Sequence, residues 1–161
     1  TALDVGSSTG GFTQVLLYEG AEKITSVDVG TDQLHSSLRS EARISLLEQT
    51  DIRDISSRLK DSFDIVVVDV AFISLSKIIK DIESVARKEG DIILLYKPQF
   101  EVGKQNLSKN GVVKKEIETQ KTLGHFLKSL EKSSLYFVKC RKAYITGKRG
   151  NQEIFVHLKK C

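Results

Sequence analysis

The chain has 161 residues, of which 40% are hydrophobic and 29% charged, and its formal net charge is +4. This length suffices for one domain with a hydrophobic core and is short for two. The composition excludes a disordered chain, and no apolar run approaches the length of a membrane span. The two cysteines, Cys140 and Cys161, lack metal-ligand spacing. We therefore expect no metal site and a reducing, cytoplasmic environment.

Strand-like and helix-like patterns alternate along the chain, which is typical of a mostly parallel α/β sheet with helices on both faces. Strands are predicted over residues 2–5, 23–29, 43–47, 64–70, 91–96, 135–140 and 153–158. Helices are predicted over residues 11–19, 31–38, 75–87 and 116–130, the second with Thr31 as its N-cap. Residues 48–54 and 98–115 are predicted loops. The last two strands follow one another directly, which predicts an antiparallel hairpin at one edge of the sheet.

A glycine-rich loop, GSSTGG at residues 6–11, joins the first strand to the first helix. Such a loop lets a ligand contact backbone amides at a helix N-terminus. Its G-x-x-x-G-G spacing differs from the dinucleotide fingerprint G-x-G-x-x-G and argues against a nicotinamide-dependent oxidoreductase. We expect the ligand to be bound here by Gly6, Ser7, Ser8, Gly10, Gly11 and Phe12. Asp4 is expected to brace the loop, and the alternative for Phe12 is a packing role in the helix core.

Charged residues follow several other strands at their carboxyl ends, where open parallel sheets bind ligands. A carboxylate at Asp28 can accept both ribose hydroxyls of an adenosyl group, and one at Asp51 can accept an adenine amino group. Asp69 and Lys97 end the two strands that follow along the chain. The residues predicted to contact the ligand on this side are Asp28, Val29, Asp51, Ile52 and Asp69.

Five segments together resemble the TlyA family: LDVGSSTGGF, SVDVGTDQL, VVVDVAFISL, KPQFEVG and GNQEIF. Members of this family are often labelled hemolysin A and are related to the FtsJ-type ribose methyltransferases. The resemblance spans essentially all 161 residues. It implies a Rossmann-like class I methyltransferase fold, with a seven-stranded sheet whose last strand is antiparallel. It also implies S-adenosylmethionine as cofactor, 2'-O-methylation of ribosomal RNA, and ribosomal RNA or a ribosomal subunit as partner, with no membrane.

The family's catalytic Lys-Asp-Lys-Glu tetrad implies roles for Asp69, Lys97 and Glu153. Methyl transfer to a ribose hydroxyl is an in-line displacement, so the protein mainly aligns the reactants and helps the hydroxyl lose its proton. Carboxylates beside a lysine stabilise its ammonium form, and we therefore expect Lys97 to orient the hydroxyl. The first lysine of the tetrad and an S4-type RNA-binding domain lie further upstream in the family. We expect this chain to lack both, to bind the cofactor and to methylate RNA poorly.

Basic residues are concentrated in the last third of the chain, where they indicate either an RNA-binding surface or an ordinary solvated face. Those assigned to RNA binding are Lys104, Lys109, Lys114, Lys115, Lys148 and Arg149. Two other functions stay open at this point. A hemolysin-like protein would need a membrane-active segment, and a catalytically inactive RNA-binding protein could keep the methyltransferase fold.

Overall fold

The computed structural model describes residues 1–161, which form a seven-stranded sheet in the order β3-β2-β1-β4-β5-β7-β6. The strands are β1 (Ala2–Val5), β2 (Ile24–Val27), β3 (Ile44–Leu47), β4 (Phe63–Val68), β5 (Ala86–Tyr96), β6 (Leu135–Lys142) and β7 (Ile154–Lys160). β1 to β5 pair in parallel, whereas β7 runs antiparallel to both β5 and β6. The predicted sheet, with its last strand reversed in a hairpin at one edge, is confirmed.

Helices cover both faces of this sheet. They are α1 (Gly11–Tyr18), α2 (Ser36–Arg39), α3 (Ile52–Ile55), α4 (Ile79–Val85) and α5 (Glu116–Ser129). Alternate strand residues point to opposite faces, so Leu3 and Val66 join the main core with α4 and α5, while Ala2 and Val67 pack with Leu16 of α1. Burial on both faces explains the nearly continuous apolar strands.

The register of the parallel strands places the chemistry-bearing residues at one edge. Val5, Val27 and Val68 lie in line at the ends of β1, β2 and β4. Gly6, Asp28 and Asp69 are the residues that follow them. On the antiparallel side Tyr96 pairs with Ile154, so the end of β5 and the start of β7 meet at this same carboxyl edge.

Several predicted boundaries were wrong. The helix predicted from Thr31 begins only at Ser36, with His35 as its N-cap. The backbone before Ser36 is not helical, because other contacts fix its conformation. Asp32 has a φ of 56°, and Glu48 accepts a hydrogen bond from the amide of Gln33 at 3.1 Å. The predicted polar loop over residues 48–54 contains the start of α3, for which Asp51 is the N-cap.

The helix predicted over residues 75–87 is divided and shorter. A 3-10 turn (Leu75–Lys77) precedes α4, and the chain enters β5 at Ala86. The long loop over residues 98–115 contains two 3-10 turns and one bridge between Leu107 and Val113. None of the helices combines the length and apolarity needed to cross a lipid bilayer.

Two glycines of the loop before α1 are required by their surroundings. Gly6 has a φ of 84°, and a Cβ on it would overlap the carbonyl oxygen of Asp69. Gly10 has a φ of 100°, and a Cβ there would overlap the side chain of Leu38. Gly11, by contrast, begins α1 with no atom within 4 Å of an added Cβ.

Gly6→Ala should therefore reduce the free energy of unfolding by at least about 1–2 kcal/mol, the cost of a left-handed conformation for a residue with a side chain. Overlap with the Asp69 carbonyl should add to that loss. Gly11→Ala is the matched control and should leave stability unchanged or slightly raised. Urea denaturation of both variants measures the difference, and equal midpoints would contradict the close approach at Gly6.

Candidate active site

The buried carboxylate of Asp4 contacts the first turn of α1, whereas the sequence analysis predicted that it braces the glycine loop. Thr13 donates a hydrogen bond from its hydroxyl to Asp4 Oδ2 at 2.6 Å, and Thr13 Oγ1 lies 2.9 Å from Ser26 Oγ. All three side chains are buried. Burial raises the pKa of Asp4 to about 6, because desolvation outweighs the hydrogen bonds from Thr13 and the nearby Asp69 and Asp28 charges oppose its ionisation.

Polar atoms without a partner lie beneath the glycine loop. Asp4 Oδ1 and Ser7 Oγ are both buried and make no hydrogen bond. Such groups are rare in native proteins, because an unsatisfied buried polar atom costs free energy. At the same point α1 begins at Gly11, which has open space around it. This helix N-terminus offers free amide donors with a partial positive charge to an anionic ligand group.

Asp28 connects the ends of β1 and β2. Its Oδ2 accepts a hydrogen bond from the Ser8 amide and its Oδ1 one from the Gly30 amide, each at 2.7 Å. The carboxylate therefore holds the glycine loop in place. Each oxygen keeps a second lone pair for another donor, and the next residue, Val29, is 70% exposed.

The other residues predicted for the adenosine side have structural contacts. Asp51 accepts from the Arg53 amide at 2.9 Å and pairs with the Arg53 guanidinium at 2.6 Å. Hydrogen bonds from Arg53 lower the pKa of Asp51. Ile52 is buried in the main core. Phe12 is half-buried and meets Phe155 of β7 edge-on, with ring centroids 6.1 Å apart, which fits its packing alternative.

Lys97 and Asp69 form an ion pair at the carboxyl edge. Lys97 Nζ lies 2.6 Å from Asp69 Oδ1, and the two side chains are 16% and 32% exposed. Oδ1 has no well-aligned hydrogen bond, so the contact is chiefly electrostatic. Pro98 follows Lys97 directly and begins a 3-10 turn, which fixes the backbone at the end of β5. The structure thus brings together two of the three predicted catalytic residues from neighbouring strands.

Glu153 lies directly before β7, at the same edge. Gln99 donates from Nε2 to Glu153 Oε1 at 3.3 Å, and this amide links Glu153 to the segment that follows Lys97. The space around the carboxylate is limited, because a Cβ on Gly147 would lie 2.7 Å from Glu153 Oε1. Gln99 Oε1 is itself buried without a partner.

The predicted RNA-binding residues lie on two loops at this edge. All six are exposed: Lys104, Lys109, Lys114, Lys115, Lys148 and Arg149. Lys109 and Arg149 line one surface depression together with Asn110. Lys114 donates from Nζ to the carbonyl of Gln105 at 2.9 Å, and Lys115 is the N-cap residue of α5.

Two residues at the edge were not identified from the sequence. Phe72, three residues after Asp69, is 91% exposed with a φ of 64°. Its ring contacts that of Phe100, with centroids 5.2 Å apart and planes tilted by 54°. Asn151 is 4% exposed and joins the two basic loops through its side-chain amide. The motif GNQEIF contains Asn151, but the family resemblance assigns a role only to the glutamate of this motif. Nothing in the sequence pattern distinguished Phe72 from a core aromatic.

Comparison with known proteins places this geometry in context. A family model described as FtsJ-like methyltransferase matches residues 1–160. The chain is 46% identical over 156 residues to the 23S rRNA (cytidine-2'-O)-methyltransferase TlyA of Campylobacter jejuni, covering 96% of this chain and 60% of that protein. It is 36% identical over 158 residues to the 16S/23S rRNA (cytidine-2'-O)-methyltransferase TlyA of Mycobacterium tuberculosis, covering 98% and 59%. The chain thus spans about three-fifths of the length of these relatives.

A solved structure has the same fold over nearly the whole chain. The crystal structure of a "putative hemolysin" from Lactococcus lactis superposes with a TM-score of 0.93 at 35% identity, covering 99% of this chain and 77% of that one.

The raised pKa of Asp4 predicts a specific pH dependence of stability. The folded pKa of about 6 lies above the ordinary value of 3.8 for an aspartate, so at pH values between the two the folded state binds a proton that the unfolded state does not. Ionising Asp4 as the pH rises from 4 to 7 should therefore destabilise the fold, by about 3 kcal/mol for a shift of this size. Asp4→Asn cannot ionise, so its stability relative to wild type should increase over this pH range. Urea denaturation of both proteins from pH 4 to 7 measures it, and parallel profiles would refute the assignment.

Proposed function

Because the chain belongs to the FtsJ-like methyltransferase family, we propose that residues 1–161 are a catalytic domain that methylates a ribose 2'-hydroxyl of ribosomal RNA with S-adenosylmethionine. The observation that carries this proposal is the Lys97–Asp69 ion pair at the carboxyl edge, beside the glycine loop. The names of the Campylobacter and Mycobacterium relatives support the choice of RNA and of the 2'-oxygen.

The glycine loop and Asp28 fit S-adenosylmethionine by their chemistry. The free amides at the start of α1 suit the methionine carboxylate, and the unpartnered Asp4 Oδ1 and Ser7 Oγ leave polar atoms for its amino group. Asp28 has lone pairs for the ribose hydroxyls. Asp51 is the proposed contact for the adenine, although its bonds to Arg53 would have to be shared.

S-adenosylmethionine supplies an electrophilic methyl group on a positively charged sulfur. The chain's own residues hold the attacking oxygen in line and favour the loss of its proton. Lys97 is held by Asp69 and can donate a hydrogen bond to the ribose oxygen, which orients the lone pair that attacks. Glu153 adds a second carboxylate at this edge. The two acids balance the positive charge of Lys97 and of the sulfur until the hydroxyl proton leaves to a carboxylate or to water.

The surface around this pair suits a single-stranded nucleotide. Phe72 presents an exposed ring three residues after Asp69, and unpaired RNA bases stack on such rings. Tyr144 and Ile145 are also exposed, on the loop that carries Lys148 and Arg149. Basic side chains at these positions would contact the RNA backbone, with an affinity that falls steeply with salt.

The cofactor assignment predicts that Asp28→Asn weakens binding of S-adenosylmethionine by roughly ten- to a hundredfold, the usual effect of losing a hydrogen bond to a charged group. Asparagine keeps one acceptor for the loop amides, so the fold should be retained. Asp32→Asn is the matched control, because Asp32 is exposed on the same loop and pairs only with Arg39. Calorimetry measures both affinities. Equal loss in the two variants, or binding of NADH by the wild type, would contradict the site.

The catalytic assignment predicts that Lys97→Met and Asp69→Asn each lower methyl transfer by about a hundredfold or more, the usual contribution of a group that handles the reacting proton. Lys97→Met should leave affinity for S-adenosylmethionine nearly unchanged. Lys23→Met, an exposed lysine at the opposite edge of the sheet, is the control. The measurement is tritiated methyl incorporation into ribosomal RNA by the full-length gene product. Near wild-type turnover without Lys97, or lysis of red cells without methyl transfer, would overturn the proposal.

A further inference from the structure

Two loops at the carboxyl edge are joined by one side chain. Asn151 accepts a hydrogen bond at Oδ1 from the amide of Val113 and donates from Nδ2 to the carbonyl of Gly111, each at 3.0 Å. No other hydrogen bond connects residues 104–115 with residues 143–153. Asn151 is buried, so this two-point match to one backbone segment is needed to satisfy its amide.

The backbone of Asn151 also controls the surroundings of Glu153. Its carbonyl accepts a hydrogen bond from the Gly147 amide at 2.9 Å and so closes the turn over residues 147–151. Gly147 lies directly against the Glu153 carboxylate. Because Gln99 contacts the same carboxylate oxygen, Glu153 is held between Gln99 and the turn that Asn151 closes.

The residues that Asn151 brings together include a pair of cations from different loops. Lys109 comes from the first loop and Arg149 from the second, and both line one surface depression. Arg149 lies over Gly111, since its Nη1 would be 3.0 Å from a Cβ on that glycine. A phosphate held between these two cations would therefore contact both loops at once.

We propose that Asn151 is a positioning residue that couples contact with the RNA backbone at Lys109 and Arg149 to the placement of Glu153. The inference rests on the proposed function and deepens it. A phosphate that draws the two loops together acts on Gly111 and on the turn over residues 147–151. Asn151 connects these two points, and the Gly147 backbone then restricts the Glu153 carboxylate. Glu153, which already lies between Gln99 and this turn, is thus restricted further when RNA is bound.

The test compares Asn151→Ala with Asn106→Ala in the full-length gene product. Asn106 is the matched control, because its amide also bonds one loop carbonyl, that of Val102 at 2.8 Å, but does not reach the second loop. Asn151→Ala should lower kcat by roughly ten- to a hundredfold, as expected for a misplaced catalytic group, and raise KM for the RNA. Affinity for S-adenosylmethionine should not change. Asn151→Asp keeps the acceptor for Val113 and should fall between wild type and Asn151→Ala.

A second measurement tests the coupling between the two loops independently of catalysis. Amide hydrogen exchange with and without ribosomal RNA should show protection of residues 111–113 and 143–153 in wild type. In Asn151→Ala, the protection of residues 143–153 should be lost, whereas Asn106→Ala should keep it. If wild type transfers no methyl group, the proposed function fails and the exchange result alone decides this inference. Equal kcat in the two alanine variants, or RNA protection of residues 143–153 that persists without Asn151, would overturn it.

Discussion

The Cα of Gly6 lies against the backbone carbonyl of Asp69, where the neighbouring strands β1 and β4 end. The amide of Asp69 donates to the carbonyl of Val5 at 2.9 Å. This contact seats the glycine loop on the end of β4. A side chain at position 6 would push the two strand ends apart. The loop proposed to bind the cofactor and the aspartate proposed for catalysis are therefore placed relative to each other by backbone, which is the most rigid connection a sheet offers.

Hydrogen bonds accepted by carboxylate side chains extend this arrangement outward. Asp28 holds Ser8 and Gly30 on the adenosine side, while Glu101 on the other side accepts from Ser74 and Leu75 after the Asp69 segment. These acids follow strands but bond to neighbouring loops. The carboxyl edge is thus a set of loops fastened to one another by carboxylates and amides, and a ligand would meet a surface that is already organised.

The site carries a cost in stability. Asp4 is a buried carboxyl with a raised pKa and one unpartnered oxygen, and Ser7 and Gln99 also bury polar atoms without partners. Phe72 adopts a φ of 64° and exposes its ring to solvent. A fold optimised for stability alone would avoid all of these. Their concentration at one edge, while the core below is apolar and well packed, is typical of a binding or catalytic site.

The sequence by itself predicted the alternation of strands and helices and the carboxyl edge as the candidate site, and its resemblance to a known family implied roles for Asp69 and Lys97. The first two predictions follow from local apolar periodicity and from residues that end strands, which a chain displays in order. Only the tertiary structure decided that α2 begins at Ser36, that Asp28 holds Ser8, and that Asn151 joins two loops. Each of these depends on a hydrogen bond between residues at least 15 positions apart. The spacing of residues along a sequence does not encode such contacts, because they form only after the sheet has brought its strand ends together.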